Sequence, residues 1–123
     1  MGKILIVDDS EIIRAQVSKI VANAGYEVVE AHDGQRALEL AESNNYDLVI
    51  TDYNMPGLNG VELVKKLREH PEYREKQMIM LTTEAGTELK KKGNEVGIRA
   101  WMVKPVDEIL LVKVLNKLMP KAA

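Results

Sequence analysis

Four apolar runs in this 123-residue sequence end in side chains able to do chemistry. Asp8 and Asp9 follow Ile4–Val7, Asp52 follows Leu48–Thr51, Thr82 and Thr83 follow Met78–Leu81, and Lys104 follows Ala100–Val103. If those ends meet, three carboxylates, a hydroxyl and an ammonium share one cleft. Three acids against one lysine leave a local charge of about −2, and two like charges about 4 Å apart repel by roughly 4 kcal/mol at an effective dielectric of 20. A divalent cation would relieve that repulsion, and an all-oxygen donor set that retains waters suits Mg2+. A carboxylate can also act as a covalent nucleophile towards phosphorus. A lysine and a threonine beside it could then stabilise the equatorial oxygens of an in-line transfer. There is no glycine-rich nucleotide cradle after the first run, so the phosphoryl group is expected to arrive on a donor bound elsewhere.

These residues meet only if the intervening elements bring them together. The runs Ile4–Val7, Tyr26–Ala31, Leu48–Thr51, Met78–Leu81 and Ala100–Val103 read as short strands. Most are apolar at consecutive positions, as parallel strands covered on both faces require. Helical patterns lie between them. The first runs from Glu11 to Ala24, with Ser10 as N-cap and Gly25 as its stop. The second covers Gln35–Glu42, the third Val61–His70 before Pro71, the fourth Thr87–Val96, and a fifth begins near Asp107. The fourth is the weakest helix, poor in apolar residues and interrupted by Gly93, which costs about 1 kcal/mol relative to alanine. Alternating strands and helices predict an α/β fold: a doubly wound, flavodoxin-like parallel sheet in the order 2-1-3-4-5. That order makes strands 1, 3, 4 and 5 neighbours. All 123 residues are expected to form one domain.

Composition narrows the possibilities. With 46% hydrophobic and 29% charged residues, the chain is ordinary for a globular protein. It has no cysteine, which excludes disulfides and thiolate metal sites. A formal charge of −2 gives no support for direct nucleic-acid or anionic-membrane binding, and no apolar stretch could span a bilayer. A cytoplasmic location is the expectation.

Each candidate alone has an ordinary explanation. Asp8 or Asp9 could favour the positive end of the following helix, Asp52 could be a turn residue, and Lys104 a surface lysine. Their joint placement at adjacent strand ends overrides those separate accounts.

The segments Leu5-Ile6-Val7-Asp8-Asp9-Ser10, Val49-Ile50-Thr51-Asp52-Tyr53-Asn54-Met55-Pro56-Gly57-Leu58-Asn59-Gly60, Met80-Leu81-Thr82-Thr83-Glu84 and Val103-Lys104-Pro105 closely resemble the receiver domain of two-component response regulators. The stand-alone chemotaxis type is the most similar. The resemblance implies a phosphoacceptor at Asp52, supplied by a histidine kinase or phosphotransfer protein and not acting as a turnover enzyme. It places Mg2+ on Asp9, Asp52 and the Asn54 carbonyl, with Asp8 acting through water. Thr82 and Lys104 would hold the phosphoryl group, and Lys104–Pro105 would be a cis bond. Asn54 and Glu84 stand at positions that modulate dephosphorylation. Trp101 occupies the position of a switch aromatic with Thr82, where the family usually has tyrosine or phenylalanine. Val106 is a second departure, at a place where an aromatic is common. The implied output face for a downstream protein is helix 4, strand 5 and helix 5. Two other readings stand beside this one: a receiver-like interaction module that is never phosphorylated, and an aspartate-nucleophile phosphohydrolase. The latter lacks its second acid, because Asn54 stands two residues after Asp52.

Overall fold

The computed structural model describes residues 2–119 and consists of a five-stranded parallel sheet between two layers of helices. The strands are β1 (Lys3–Val7), β2 (Glu27–Ala31), β3 (Leu48–Thr51), β4 (Gln77–Thr82) and β5 (Ala100–Val103), in the order β2-β1-β3-β4-β5. The helices are α1 (Glu11–Asn23), α2 (Gly34–Ser43), α3 (Gly60–Arg68), α4 (Thr87–Glu95) and α5 (Glu108–Leu118). This is the doubly wound topology expected from the alternation of apolar runs and amphipathic segments.

Successive residues of each inner strand are buried because both faces are covered. Ile4, Ile6, Leu48, Ile50, Ile79 and Leu81 point into one core with Val17, Ile20 and Val21 of α1 and Leu111 and Leu115 of α5. Leu5, Val7, Val49, Met78 and Met80 point the other way, towards Ala37 and Ala41 of α2 and Leu63, Val64 and Leu67 of α3. Burying each such valine, leucine, isoleucine or methionine contributes about 1.5–3 kcal/mol, so the inner strands are the rigid frame. The register pairs Val7 with Ala31 and Thr51, Thr51 with Met80, and Thr82 with Val103. The functional candidates therefore emerge together at the carboxyl ends of the strands.

Local signals set the helix starts. Ser10 accepts a hydrogen bond from the Ile13 amide, Asp33 from Arg36 and Asp107 from Leu110. Asn59 and Glu62 form a reciprocal capping box at α3. Gly25, just past α1, has a φ of 99°, a backbone conformation that favours glycine.

Most boundaries lie within one residue of expectation, and the end of α3 differs by two. The sequence predicts α3 through His70, but the helix ends at Arg68, and Pro71–Tyr73 form a 3-10 turn. A residue before proline is driven out of the helical region, and His70 is accordingly extended at φ −87°, ψ 129°. The Arg68 guanidinium ties this junction together. It donates to the carbonyls of Tyr73, Arg74 and Lys76 before β4 and to those of Val96 and Gly97 after α4.

The weak fourth helix is present over Thr87–Glu95. Of its residues only Gly93 is fully buried, because the Trp101 ring lies against it. A Cβ at position 93 would stand 2.8 Å from Trp101 Cζ3 and 3.2 Å from Ile98 Cδ1. The glycine that weakens the helix is thus what lets an indole pack there.

Candidate functional site

The site is built where β1, β3, β4 and β5 end. Asp8 and Asp9 leave β1, and one carboxylate oxygen from each of Asp8, Asp9 and Asp52 lies within 4.8 Å of the others. Asp52 is 7% exposed and Asp8 4% exposed, whereas Asp9 faces solvent. Lys104 reaches across from the end of β5. Its Nζ donates to Asp8 Oδ2 at 2.8 Å and to Asp52 Oδ2 at 3.0 Å. One ammonium therefore bridges two nearly buried carboxylates. Asp8 Oδ1 accepts from the Ser10 amide at 2.9 Å, and Asp52 Oδ1 from the Tyr53 amide at 2.7 Å. Both carboxylates are thus oriented by backbone as well as by charge.

Burial works against the charge of Lys104, but its hydrogen bonds to Asp8 and Asp52 and the charges of those two acids outweigh it. Its pKa is raised above the ordinary lysine value of 10.5. The lysine is cationic throughout the physiological range. Its backbone is anchored as well, since the Lys104 amide donates to Thr82 O at 2.8 Å. The Lys104–Pro105 bond is cis, as the resemblance implied.

Asp52 is held from below by the fold. Its amide donates to Val7 O at 2.9 Å, and its carbonyl accepts from the Thr51 hydroxyl at 2.9 Å. Any Cβ on Gly60, the first residue of α3, would collide with that same carbonyl oxygen. Glycine is required there so that α3 can start directly behind Asp52.

Thr82 is fully buried at the end of β4, and its Oγ1 accepts from the Glu84 amide at 3.3 Å. Asn54 and Glu84 face each other at the solvent side of the cleft, with Asn54 Nδ2 donating to Glu84 Oε1 at 2.8 Å. Trp101 is half-buried on the α4 side, and its Nε1 donates to the Glu84 carbonyl at 2.7 Å. Phenylalanine, one of the residues usual at this position, has no donor and could not make that bond. Val106 is half-buried in the α1–α5 core, a packing position.

The structure thus brings together Asp8, Asp9, Asp52 and Lys104, with Thr82, Asn54 and Glu84 around them. Two residues around the site carry no sign in the sequence of the role they play there. Arg14 on α1 donates from Nη1 to Asp8 O at 2.8 Å, and Gly93 accommodates Trp101. The partners involved are a main-chain carbonyl and an aromatic eight residues away, and neither marks the residue that serves it.

The donor set fits a small hard dication. The three side-chain candidates are carboxylates, the fourth candidate is the Asn54 main-chain carbonyl, and Asp9 has both oxygens uncommitted among the described residues. No helix of the described residues is long and apolar enough to cross a membrane.

Comparisons with known proteins agree with this geometry. Chemotaxis response regulator CheY4 of Vibrio cholerae superposes with a TM-score of 0.91 at 43% identity, covering 97% of this chain and 99% of that one. Chemotaxis protein CheY-3 of the same species is 35% identical over 117 residues, 94% of this chain and 90% of that protein. The receiver domain of the sensor histidine kinase PA1611 from Pseudomonas aeruginosa, solved with a magnesium ion coordinated in its active-site cleft, gives a TM-score of 0.87 at 25% identity, with coverages of 95% and 96%. The sequence itself matches the response regulator receiver domain over residues 4–116, and the chain belongs to that family.

Proposed function

We propose that Asp52 accepts a phosphoryl group from a histidine kinase or phosphotransfer protein and that the resulting acyl phosphate changes the affinity of this chain for a downstream protein. The observation that carries the reading is the pairing of Lys104 Nζ with both Asp8 and Asp52 in a nearly buried cleft. In this reading the 123 residues work as one receiver unit, and chemotaxis is the setting suggested by its relatives.

In the transfer, an Asp52 carboxylate oxygen forms a P–O bond as the P–N bond to the donor imidazole breaks. The departing imidazole takes up a proton. Lys104 leaves one carboxylate and pairs with a phosphoryl oxygen, so its charge is never unpaired. Thr82 turns its hydroxyl to donate to another oxygen. Mg2+ would be held by Asp9, Asp52 and the Asn54 carbonyl, with Asp8 acting through water. When bound it supplies positive charge against the oxygens of the transferring group. In this reading Asn54 and Glu84, hydrogen-bonded to each other and exposed, modulate how long the acyl phosphate lasts. The chain is a phosphoacceptor, not a turnover catalyst.

Phosphorylation adds about −1.5 to −2 of charge and three strong acceptors. Drawing Thr82 and Lys104 onto these acceptors pulls on the ends of β4 and β5, with Trp101 moving in concert. The face formed by α4, β5 and α5 is then the output surface for the downstream protein. Val103 and Leu110, each 48% exposed, offer apolar area on or near it. We place this interaction in the cytoplasm, without direct contact with nucleic acid or membrane.

Acetyl phosphate with Mg2+, followed by intact-mass spectrometry, tests the chemistry. One phosphoryl adduct that is lost in Asp52→Asn and in chelator is the expected result. No adduct at short times and low temperature would leave a phosphorylation-independent interaction module.

A further inference from the structure

We infer that Arg14 is a positioning residue for the acidic site, acting on Asp9 through the backbone of Asp8. The inference rests on the reading of the three acids as a cation site.

The three carboxylates are not held alike. Asp8 and Asp52 each spend one oxygen on a backbone amide and the other on Lys104. The Asp9 side chain has neither a hydrogen bond nor an ion pair among the described residues, and it is exposed. Whatever orients it must act through its main chain. The peptide unit leading into Asp9 contains the Asp8 carbonyl, and that carbonyl lies just past the β1–β2 ladder. The Asp8 amide still donates to Ala31 O at 3.2 Å, but β2 ends at Ala31. Arg14 fills the gap, donating from Nη1 to Asp8 O at 2.8 Å.

Arg14 is itself immobilised. Its Nε donates to Glu30 Oε1 at 3.1 Å, its side chain is 16% exposed, and its amide donates to Ser10 O within the first turn of α1. Ser10 caps that helix and donates its own amide to Asp8 Oδ1. Helix α1 and edge strand β2 thus converge on one peptide plane, which aims the single acid that has no side-chain support. Groups that orient a ligand from behind typically change metal affinity by 10–100-fold when removed.

Charge alone predicts the opposite sign. Arg14 is a cation near a proposed dication site, so removing it would tighten Mg2+ binding if electrostatics governed. Positioning predicts that removal weakens binding. A strut that merely ties α1 to β2 predicts lost stability with unchanged affinity.

The test is a Mg2+ titration of the full chain, followed by the backbone amide NMR shifts of residues 8–10. Arg14→Ala is expected to raise the Kd roughly tenfold in a well-dispersed spectrum. Arg14→Lys, which keeps the charge but lacks the planar fork whose Nε and Nη1 serve the two acceptors, should fall between. In an Asp9→Asn background, Arg14→Ala should add no further loss, since its route is through Asp9. If Arg14→Ala does not fold, Arg14→Lys and Glu30→Gln carry the comparison. A Kd that is unchanged or lower in the Arg14 variants overturns the inference and leaves the metal reading intact. An unsubstituted chain that shows no Mg2+-dependent shifts overturns the metal reading and, with it, this inference.

Discussion

Substituting alanine for Gly93 sets two measurable effects against each other. In a helix interior, Gly→Ala gains about 1 kcal/mol from backbone entropy, and α4 is a helix poor in other support. Against this, the new methyl would lie 2.8 Å from Cζ3 and 3.3 Å from Cε3 of Trp101, and 3.2 Å from Ile98 Cδ1. Two of these three contacts are with a rigid ring whose Nε1 is tethered to the Glu84 carbonyl. The ring cannot swing away without losing that bond. Overpacking of this kind costs about 1–3 kcal/mol, so Gly93→Ala is expected to destabilise the protein by about 1 kcal/mol net.

The decisive experiment is a double-mutant cycle in urea, followed by far-UV circular dichroism. In a Trp101→Ala background the obstruction is gone, and the same Gly93→Ala change should stabilise by about 1 kcal/mol, less a small residue from Ile98. The coupling energy between the two positions is therefore expected to be about 2 kcal/mol, with a change of sign. If Gly93→Ala raised the midpoint with Trp101 in place, or if the two changes added within about 0.5 kcal/mol, Trp101 would not be packed on Gly93 as described.

Other perturbations probe other parts of the structure. Lys104 has a raised pKa in the folded state, so its contribution to stability is fully present below pH 10.5 and is lost as pH climbs through the raised value. Urea midpoints from pH 9 to 12 should fall less steeply in Lys104→Met, and parallel curves for the two proteins would contradict this. Asp52→Asn in chelator should raise the unfolding free energy by about 1 kcal/mol, because it removes one of three crowded acids while Lys104 keeps Asp8; a lower value would refute the crowding. Arg68→Ala should cost about 2–4 kcal/mol by leaving carbonyls at the α4 and β4 junctions unpaired. Arg68→Lys should recover less than half of this in chemical denaturation, since an ammonium cannot reproduce the planar fork.

Much of this architecture is legible in the sequence because a buried parallel sheet writes itself as consecutive apolar residues. Ile4–Val7 and Leu48–Thr51 can hardly be anything else, and the side chains just past them are released from packing. A charged residue at that point is therefore conspicuous, and Asp8, Asp9, Asp52 and Lys104 all stand out for that reason. The α3 boundary was less legible, although its cause is local. His70 is barred from helical geometry by Pro71, so the helix had to end before His70 and not at the proline.

Residues that serve the main chain leave no such trace. Arg68 satisfies carbonyls both before β4 and after α4, yet carbonyls are common to every residue and specify no partner type. Arg14 reads as one more polar residue on α1 until the end of β2 leaves the Asp8 carbonyl without a strand partner. Gly93 misleads in the opposite sense: taken by itself it argues against the helix it belongs to. It becomes intelligible only when Trp101, eight residues on and in another element, is found lying across it. The chemistry of the cleft can therefore be inferred from residue types at strand ends. Its positioning and its coupling to α4 depend on pairs whose second member is either backbone or distant, and those pairs exist only once the chain is folded.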